Sequence, residues 1–257
     1  MIDFHSHIVF GVDDGSESIE NSINILKEAE KAGFDRIILT PHYMEDYYEV
    51  PKDEIHSKIE KLNEACKNEN INIKLYQGNE IYITNHIKEY LSNNIACSLN
   101  DSRYVLFETP MNIEPQNLLE VIYKLKEMGK VPVLAHPERY SYIQKDPNRL
   151  LELIDEGVLL QSNYGSIAGQ YGENAVETAK KLIKNNFIHF LGSDVHKERH
   201  IYRKMDEILN TLSKWTSSEK IEEITLINIE KVINDEEIEI EMPTPIKEGF
   251  FSKIFHK

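Results

Sequence analysis

Short apolar runs alternate with amphipathic stretches seven times along the chain. Each run of four or five residues has the composition of a buried strand, and the stretch after it carries apolar positions at helical spacing. The starts of the runs lie roughly 30 residues apart, which is the length of one βα unit. The predicted strands are residues 2–5, 36–40, 73–77, 104–108, 131–135, 157–161 and 189–192.

The stretches between the runs predict helices with one apolar face each. In the first, Ile19, Ile23 and Leu26 share a face, and Gly33 follows as a residue suited to end the helix. Similar faces are formed by Leu118, Ile122, Leu125 and Met128, by Ala175, Ala179, Leu182 and Ile183, and by Met205, Leu209 and Leu212. The alternation predicts an α/β fold with a parallel sheet, and the regular repeats favour a closed barrel. An open doubly wound sheet is the alternative, but the glycine-rich first turn typical of it is absent from the sequence.

The length fits one barrel domain, which we predict to span residues 1–257 with a short C-terminal tail from about residue 243. Two regions break the βα rhythm. Residues 43–50 are predicted to form an acidic and aromatic loop after the second strand. After Trp215 the chain becomes acidic, and we predict irregular structure there. The Phe-rich end is expected to pack on the barrel, and docking on a partner or at a membrane surface is the alternative.

Composition narrows the class of protein. The formal net charge of −15 argues against a nucleic acid partner, which would require basic patches. Two cysteines, Cys66 and Cys97, are too few for a disulfide framework and fit a reducing compartment. The first residues do not resemble a signal peptide, and no apolar stretch of about 18 residues is present. We therefore expect a cytoplasmic protein without a membrane span.

Acidic and imidazole side chains follow almost every predicted strand. They are His5, His7, Asp14, His42, Glu80, Glu108, His136, Asp194 and His196. If the strands close into a barrel, these side chains converge on one rim. A ring of carboxylates and imidazoles without a thiolate is typical of a multinuclear metal site for hydrolysis.

Spacing strengthens this interpretation. His5 and His7 share one face of a strand end, and Asp194 and His196 repeat the spacing after the last strand. In a closed barrel the first and last strands are neighbours, so the two pairs would face each other. Glu108 ends an apolar run, where an unpaired carboxylate is costly unless a cation compensates its charge.

Two motifs that contain an arginine are candidates for phosphate binding. Arg139 lies next to the predicted rim, where its guanidinium could bind two phosphate oxygens, and the alternative is a salt bridge to Glu138 or to a rim carboxylate. Cys97 and Arg103 have the C-x5-R spacing of cysteine-dependent tyrosine phosphatases. That segment holds no glycine and runs into a strand rather than a helix, so we reject it as a phosphate loop.

Together these motifs resemble the PHP (polymerase and histidinol phosphatase) superfamily over residues 3 to about 199. They are Asp-Phe-His-Ser-His at 3–7, Thr-Pro-His at 40–42, Gly-Asn-Glu at 78–80, Glu108, His-Pro-Glu-Arg at 136–139 and Ser-Asp-Val-His at 193–196. Segments 3–15 and 136–140 are similar to those of the capsule-type bacterial protein-tyrosine phosphatases. The resemblance implies a PHP-type distorted TIM-like barrel of about seven βα units that holds three divalent metal ions. Manganese is the first expectation, and iron, cobalt and zinc are the alternatives.

The resemblance also implies a role for each site residue. One ion would be held by His5, His7, Glu80 and Asp194, a second by Glu80, Glu108 and His136, and a third by Asp14, His42 and His196. Asp13 adjoins Asp14 and only one of them can point inward, so this choice is open. Arg139 matches the phosphate-binding arginine of the family, and the second such arginine would be Arg199, with Arg203 as the alternative.

The activity implied is that of a metal-dependent protein-tyrosine phosphatase that uses a metal-activated hydroxide. Its expected substrate is the phosphotyrosine tail of a bacterial tyrosine autokinase that controls capsule or exopolysaccharide synthesis. The main alternative is a small-molecule phosphomonoesterase such as a histidinol-phosphate phosphatase. A nuclease is disfavoured by the acidic charge, and a non-catalytic relative would be expected to have lost ligands, whereas all nine positions are filled here.

Overall fold

The computed structural model describes residues 1–196 and 201–247. The strands are β1 (Ile2–Asp3), β2 (Arg36–Leu39), β3 (His42–Tyr43), β4 (Lys74–Gln77), β5 (Glu80–Tyr82), β6 (Tyr104–Glu108), β7 (Val131–Ala135), β8 (Leu159–Asn163) and β9 (Phe190–Gly192). The α-helices are α1 (Ile19–Lys31), α2 (Lys52–Asn68), α3 (Ile87–Ser92), α4 (Leu118–Glu127), α5 (Ser141–Lys145), α6 (Leu150–Asp155), α7 (Tyr164–Ile167), α8 (Glu173–Lys184), α9 (Met205–Leu212), α10 (Ser218–Glu222) and α11 (Asn228–Ile233).

The strands form a parallel ring in seven positions. Their order is β1-β2-β4 in one sheet and β3-β5-β6-β7-β8-β9 in the other. The two sheets are continuous because β3 prolongs β2 beyond Pro41, and β5 prolongs β4 beyond Gly78. A parallel bridge between Ser6 and Val195 joins the ends of the first and last strands. The predicted α/β fold, a distorted barrel of about seven βα units, is confirmed.

Two apolar layers hold the barrel together. Phe4 and Phe190 stack inside the ring with ring centroids 4.2 Å apart, and Leu106 packs in the same inner cluster. The second layer lies between the sheet and the helices, where the predicted faces are buried, as Leu26 of α1 illustrates. Gly33 ends the first βα helix with φ of +88°, a conformation that glycine adopts without strain.

The prediction of irregular structure after Trp215 is wrong for residues 218–233, whereas residues 234–247 contain no helix or strand, as predicted. The former segment forms α10, a π-helical turn at Glu223–Ile227 and α11. Ile229 and Val232 are fully buried in the inner cluster, and the Asn228 amide donates to the carbonyl of His189, which precedes β9. These helices therefore close the N-terminal end of the barrel. In the sequence, the acidic exposed residues of these helices obscure the helical spacing of the buried apolar positions.

The loop and the tail lie on the outside of the barrel. The predicted loop at 43–50 begins in β3, and Met44 pairs with Tyr48 in an antiparallel bridge. At the tail, the Thr244 N–H donates to the carbonyl of Asn185 over 3.0 Å. The Phe-rich end, residues 248–257, lies outside the described residues. In the part of the chain that is described, no helix combines the length and apolarity that crossing a membrane requires.

Candidate metal centre

All nine predicted ligand side chains lie at the C-terminal rim of the barrel. His5 and His7 follow β1, His42 and Glu80 open the short strands β3 and β5, and Glu108 ends β6. The remaining four lie in rim loops; they are Asp14, His136, Asp194 and His196. Eight of the nine fall into three groups whose potential ligand atoms lie within 4.8 Å of one another. The ninth, His136, contacts a shared member of two of these groups.

The first group is the most deeply buried. It contains His5, His7, Glu80 and Asp194. The Nε2 atoms of His5 and His7 are 3.0 Å apart, and Oε2 of Glu80 lies 3.2 Å from the former. Oδ1 of Asp194 lies 3.6 Å from Nε2 of His5 and 3.4 Å from that of His7. Oε2 of Glu80 and Oδ1 of Asp194 are buried without a hydrogen-bond partner among the described residues. Since an orphaned buried carboxylate oxygen is costly, this donor set fits a cation.

The second group shares Glu80 with the first. Nδ1 of His42 lies 3.0 Å from Oε2 of Glu80 and 3.3 Å from Oε1 of Glu108. The other oxygen of Glu80, Oε1, is 2.9 Å from Nε2 of His136. Oε2 of Glu80 therefore faces both the first group and His42, while Oε1 faces His136. The carboxylate thus contacts both groups at once, as a bridging carboxylate would.

The third group forms the outer part of the ring. It contains His7, Asp14, His42 and His196. Oδ1 of Asp14 lies 3.3 Å from Nε2 of His196 and 3.7 Å from Nε2 of His42. The rings of His7 and His196 stack 3.9 Å apart. His42 thus faces the second group with Nδ1 and the third with Nε2.

The structure places Asp13 and Asp14 differently, and only Asp14 lies in one of the three groups. Asp13 faces away from the ligand atoms, and its Oδ2 accepts hydrogen bonds from Nδ1 of His7 over 2.7 Å and from the His42 N–H over 2.9 Å. Asp14 is half exposed and faces His196, whose hydrogen bond lowers the pKa of Asp14 to about 2. Asp13 therefore orients a ligand, whereas Asp14 faces the ligand cluster.

Without cations, the ring retains protons on some of its members. Burial opposes the charge of His42, but the charge of Glu80, a hydrogen bond to it and the charge of Glu108 together raise the pKa of His42 to about 9. Burial and the charge of Glu80 raise the pKa of Glu108 to about 8. Burial, together with the charge of Arg139, lowers the pKa of His136 to about 4. At neutral pH, protons on His42 and Glu108 therefore compete with cations.

Arg139 lies beside the ring and pairs with a rim carboxylate, one of the two alternatives considered from the sequence. Its Nη1 donates to Oδ2 of Asp194 over 2.7 Å, and its guanidinium stacks 4.3 Å from the centroid of the Tyr171 ring. The other alternative, Glu138, turns away and accepts from the Ser166 hydroxyl over 2.6 Å. A cavity of about 310 Å³ opens next to Arg139. Its walls are formed by Asp14, Arg139, Gln170, Tyr171, Ser193, Asp194, Val195, His196 and Ile201.

Neither candidate for the second phosphate-binding arginine is described near the ring. Arg199 lies outside the described residues. Arg203, the alternative, is exposed on the outer surface and pairs with Glu28 of α1.

The C-x5-R segment is not a phosphate loop. Cys97 is buried, its N–H donates to Oδ1 of Asn79, and burial raises the pKa of its thiol to about 12. Arg103 pairs with Asp235 at the opposite end of the barrel. The rejection of this motif is therefore confirmed.

Sequence reasoning missed the residues that support the ligands. They are Gln161, Asn163, Glu138, Tyr171 and Asp13, the last of which the sequence suggested only as a possible ligand. Gln161 and Asn163 are fully buried at the end of β8 and contact His5 and Asp194. The only sequence signal was that three polar residues, 161–163, end an otherwise apolar strand.

The similarity of this chain to known proteins extends over the whole barrel. A family model described as capsular polysaccharide synthesis, CpsB/CapC, matches residues 1–234. The chain is 32% identical over 255 residues to the tyrosine-protein phosphatase YwqE of Bacillus subtilis, covering 98% of this chain and 100% of YwqE. It is 30% identical over 241 residues to the tyrosine-protein phosphatase CpsB of Streptococcus pneumoniae, covering 92% and 99% respectively. A chain from the crystal structures of YwqE and CpsB, described as unique metal-dependent tyrosine phosphatases, matches with a TM-score of 0.89 and 32% identity, covering 96% of this chain and 100% of that chain. The likeness therefore includes every strand end that carries a ring residue.

Proposed function

The chain belongs to the CpsB/CapC family of capsular polysaccharide synthesis and is a metal-dependent tyrosine-protein phosphatase; we propose that it hydrolyses phosphotyrosine on a bacterial tyrosine autokinase. The observation that carries the proposal is the buried ring itself. Two carboxylate oxygens, on Glu80 and Asp194, lie without hydrogen-bond partners among imidazoles, and Arg139 lies beside them.

We propose three divalent cations in this ring, with manganese as the native metal. One would bind His5, His7, Glu80 and Asp194, a second Glu80, Glu108 and His136, and a third Asp14, His42 and His196. Histidine and carboxylate ligands also accept iron, cobalt and zinc. When bound, such ions lower the pKa of water to supply a hydroxide nucleophile at neutral pH, and they neutralise charge on phosphoryl oxygens.

The residues around the ring orient the reactants. Asp13 accepts the hydrogen bond from Nδ1 of His7, so Nε2 of His7 faces the ring with its lone pair. Arg139 is anchored through Nη1 on Asp194, which leaves the rest of the guanidinium free to bind two phosphate oxygens. The leaving phenolate has a pKa near 10, so an obligatory general acid is not required.

The proposed substrate is a phosphotyrosine on the flexible tail of an autokinase that controls capsule or exopolysaccharide synthesis. A cavity of about 310 Å³ at the barrel rim, adjoining Arg139, is accessible to a single side chain presented on such a tail. This substrate would place the enzyme in the cytoplasm, in agreement with two buried cysteines that form no disulfide.

Relative rates on three substrates test the proposal. With Mn²⁺ present, we expect turnover of a phosphotyrosine peptide to exceed that of a phosphoserine peptide and of histidinol phosphate. Chelation should abolish this turnover and added Mn²⁺ should restore it, whereas alkylation of Cys97 should leave it unchanged. Preference for histidinol phosphate would overturn the substrate proposal, and activity that survives complete chelation would overturn the metal dependence.

A further inference from the structure

The strand β8 supplies no acid and no imidazole to the ring, yet its last residues contact two ring members, which follow β1 and β9. Gln161 and Asn163 are fully buried at this strand end. Gln161 contacts His5, which follows β1, and Asn163 contacts Asp194, which follows β9. Two buried amides therefore link two members of the first ligand group.

The direction of the hydrogen bonds from Gln161 is fixed by a backbone carbonyl. One end of its amide lies 2.8 Å from the carbonyl oxygen of Ser162. Since a carbonyl oxygen can only accept, this end must be the nitrogen, Nε2. The amide oxygen therefore faces His5, 2.9 Å from Nδ1, and the imidazole must donate there. With a proton held on Nδ1, Nε2 is the nitrogen of His5 that faces the ring, where it lies 3.0 Å from Nε2 of His7.

The same reasoning extends to Asp194. Nε2 of Gln161 also donates to Oδ1 of Asn163 over 2.8 Å. The other end of the Asn163 amide is therefore Nδ2, which donates to Oδ2 of Asp194 over 2.7 Å. Oδ2 is thus occupied by hydrogen bonds, while Oδ1 of Asp194 has no partner among the described residues.

We infer that Gln161 and Asn163 form an amide relay, a pair of positioning residues that fixes the tautomer of His5 and the rotation of the Asp194 carboxylate. The relay prepares two ligands of one ion together, and in this it rests on the proposed metal binding. Its packing is tight, because a Cβ at Gly192 would lie 2.7 Å from Cβ of His5 and 3.1 Å from Nε2 of Gln161.

The first test compares Mn²⁺ affinity in the wild-type full-length protein and in Gln161→Met, which keeps the side-chain volume but removes the amide. We expect affinity at the tightest site to fall by about 10- to 100-fold, as for other partners of metal ligands. Ser162→Ala is the matched control, because the relay uses only the backbone carbonyl of that residue, and its affinity should be unchanged. Circular dichroism and the melting temperature of the ion-free proteins establish that each variant is folded.

A purely structural role for Gln161 would lower the melting temperature without changing the affinity of the folded protein. Unchanged Mn²⁺ affinity in folded Gln161→Met would therefore overturn the relay. Wild-type protein that binds no divalent cation would instead overturn the proposed function, so the two failures are distinguishable.

Coupling between the two amides gives a second test. If they act as one unit, the double variant Gln161→Met/Asn163→Leu should lose less affinity than the product of the two single losses. Losses that multiply independently would contradict a relay.

The tautomer of His5 can be read in the wild-type protein, so the inference stays testable if the variants fail to fold. In ¹⁵N-histidine-labelled protein loaded with diamagnetic Zn²⁺, we expect the proton of His5 on Nδ1. A proton on Nε2 would overturn the inference.

Discussion

At the scale of single residues, the side chains of the ring share one orientation. The outward atom of several candidate ligands is held by a hydrogen bond from or to a residue outside the ring, and the inward atom faces the other members of the ring. Nδ1 of His7 donates to Asp13, and Oδ2 of Asp194 accepts from Arg139. Strand ends and residue types predict which side chains line the ring, but not these outward partners. The choice of Asp14 over Asp13 depends on the path of a loop that no periodicity encodes.

Arg139 should be required for turnover but not for metal binding. In Arg139→Ala, Asp194 keeps its hydrogen bond from Asn163, so we expect full Mn²⁺ content. Turnover of a phosphotyrosine peptide should fall by about 10²- to 10³-fold, as when one charge-stabilising donor is removed. Elemental analysis and steady-state rates on the same sample check this.

His136→Ala is the contrasting variant, since it removes a nitrogen 2.9 Å from Oε1 of Glu80 and should lower metal content and turnover together. If Arg139→Ala lost its metal, or His136→Ala kept both metal and turnover, the division of roles between them would be wrong.

Metal binding should release protons at neutral pH. In the ion-free protein His42 and Glu108, with pKa raised to about 9 and about 8, hold protons at pH 7 that cations must displace. We therefore expect apparent Mn²⁺ affinity to rise between pH 7 and pH 9, and the number of protons released to fall. Calorimetric titration in buffers of different ionisation enthalpy measures both quantities. Affinity independent of pH, without proton release at pH 7, would contradict these protonation states.

At the scale of elements, continuous apolar runs made the strands predictable. Strands β6 and β7 lie at the predicted bounds, because their five and four consecutive buried residues fit strands covered on both faces. The short strands β3 and β5 were missed, since two or three residues after Pro41 or Gly78 carry no periodicity. These strands nevertheless place His42 and Glu80 on the rim.

The C-terminal helices show that a segment with many exposed charges can still contribute residues to the core. Ile229 of α11 is fully buried against the inner cluster, so Ile229→Ala should lower the free energy of unfolding by about 2–5 kcal/mol. Ile227→Ala is the matched control, because Ile227 is 41% exposed and its truncation should change stability much less. Denaturant unfolding measures both variants. Equal, small losses would mean that α11 does not contribute to the barrel core.

At the scale of the whole molecule, folding gathers ligands from residue 5 to residue 196 into one buried cluster in a chain of formal charge −15. The sequence predicted this cluster because parallel strands bring their carboxyl ends to one rim. The resemblance of its motifs also implied that Glu80 is shared by two ligand sets, but it gave His42 to one set only, whereas His42 faces two groups. Since the ring is assembled only in the folded chain, the proposed metal loading should be coupled to stability.

Anomalous diffraction from crystals grown with Mn²⁺ tests the central claim, that this rim binds a cluster of divalent cations, most directly. We expect three manganese peaks, one within each proposed ligand set, with Glu80 contacting two of them. A map with no anomalous peak among these side chains, from protein that is folded and active, would contradict the account.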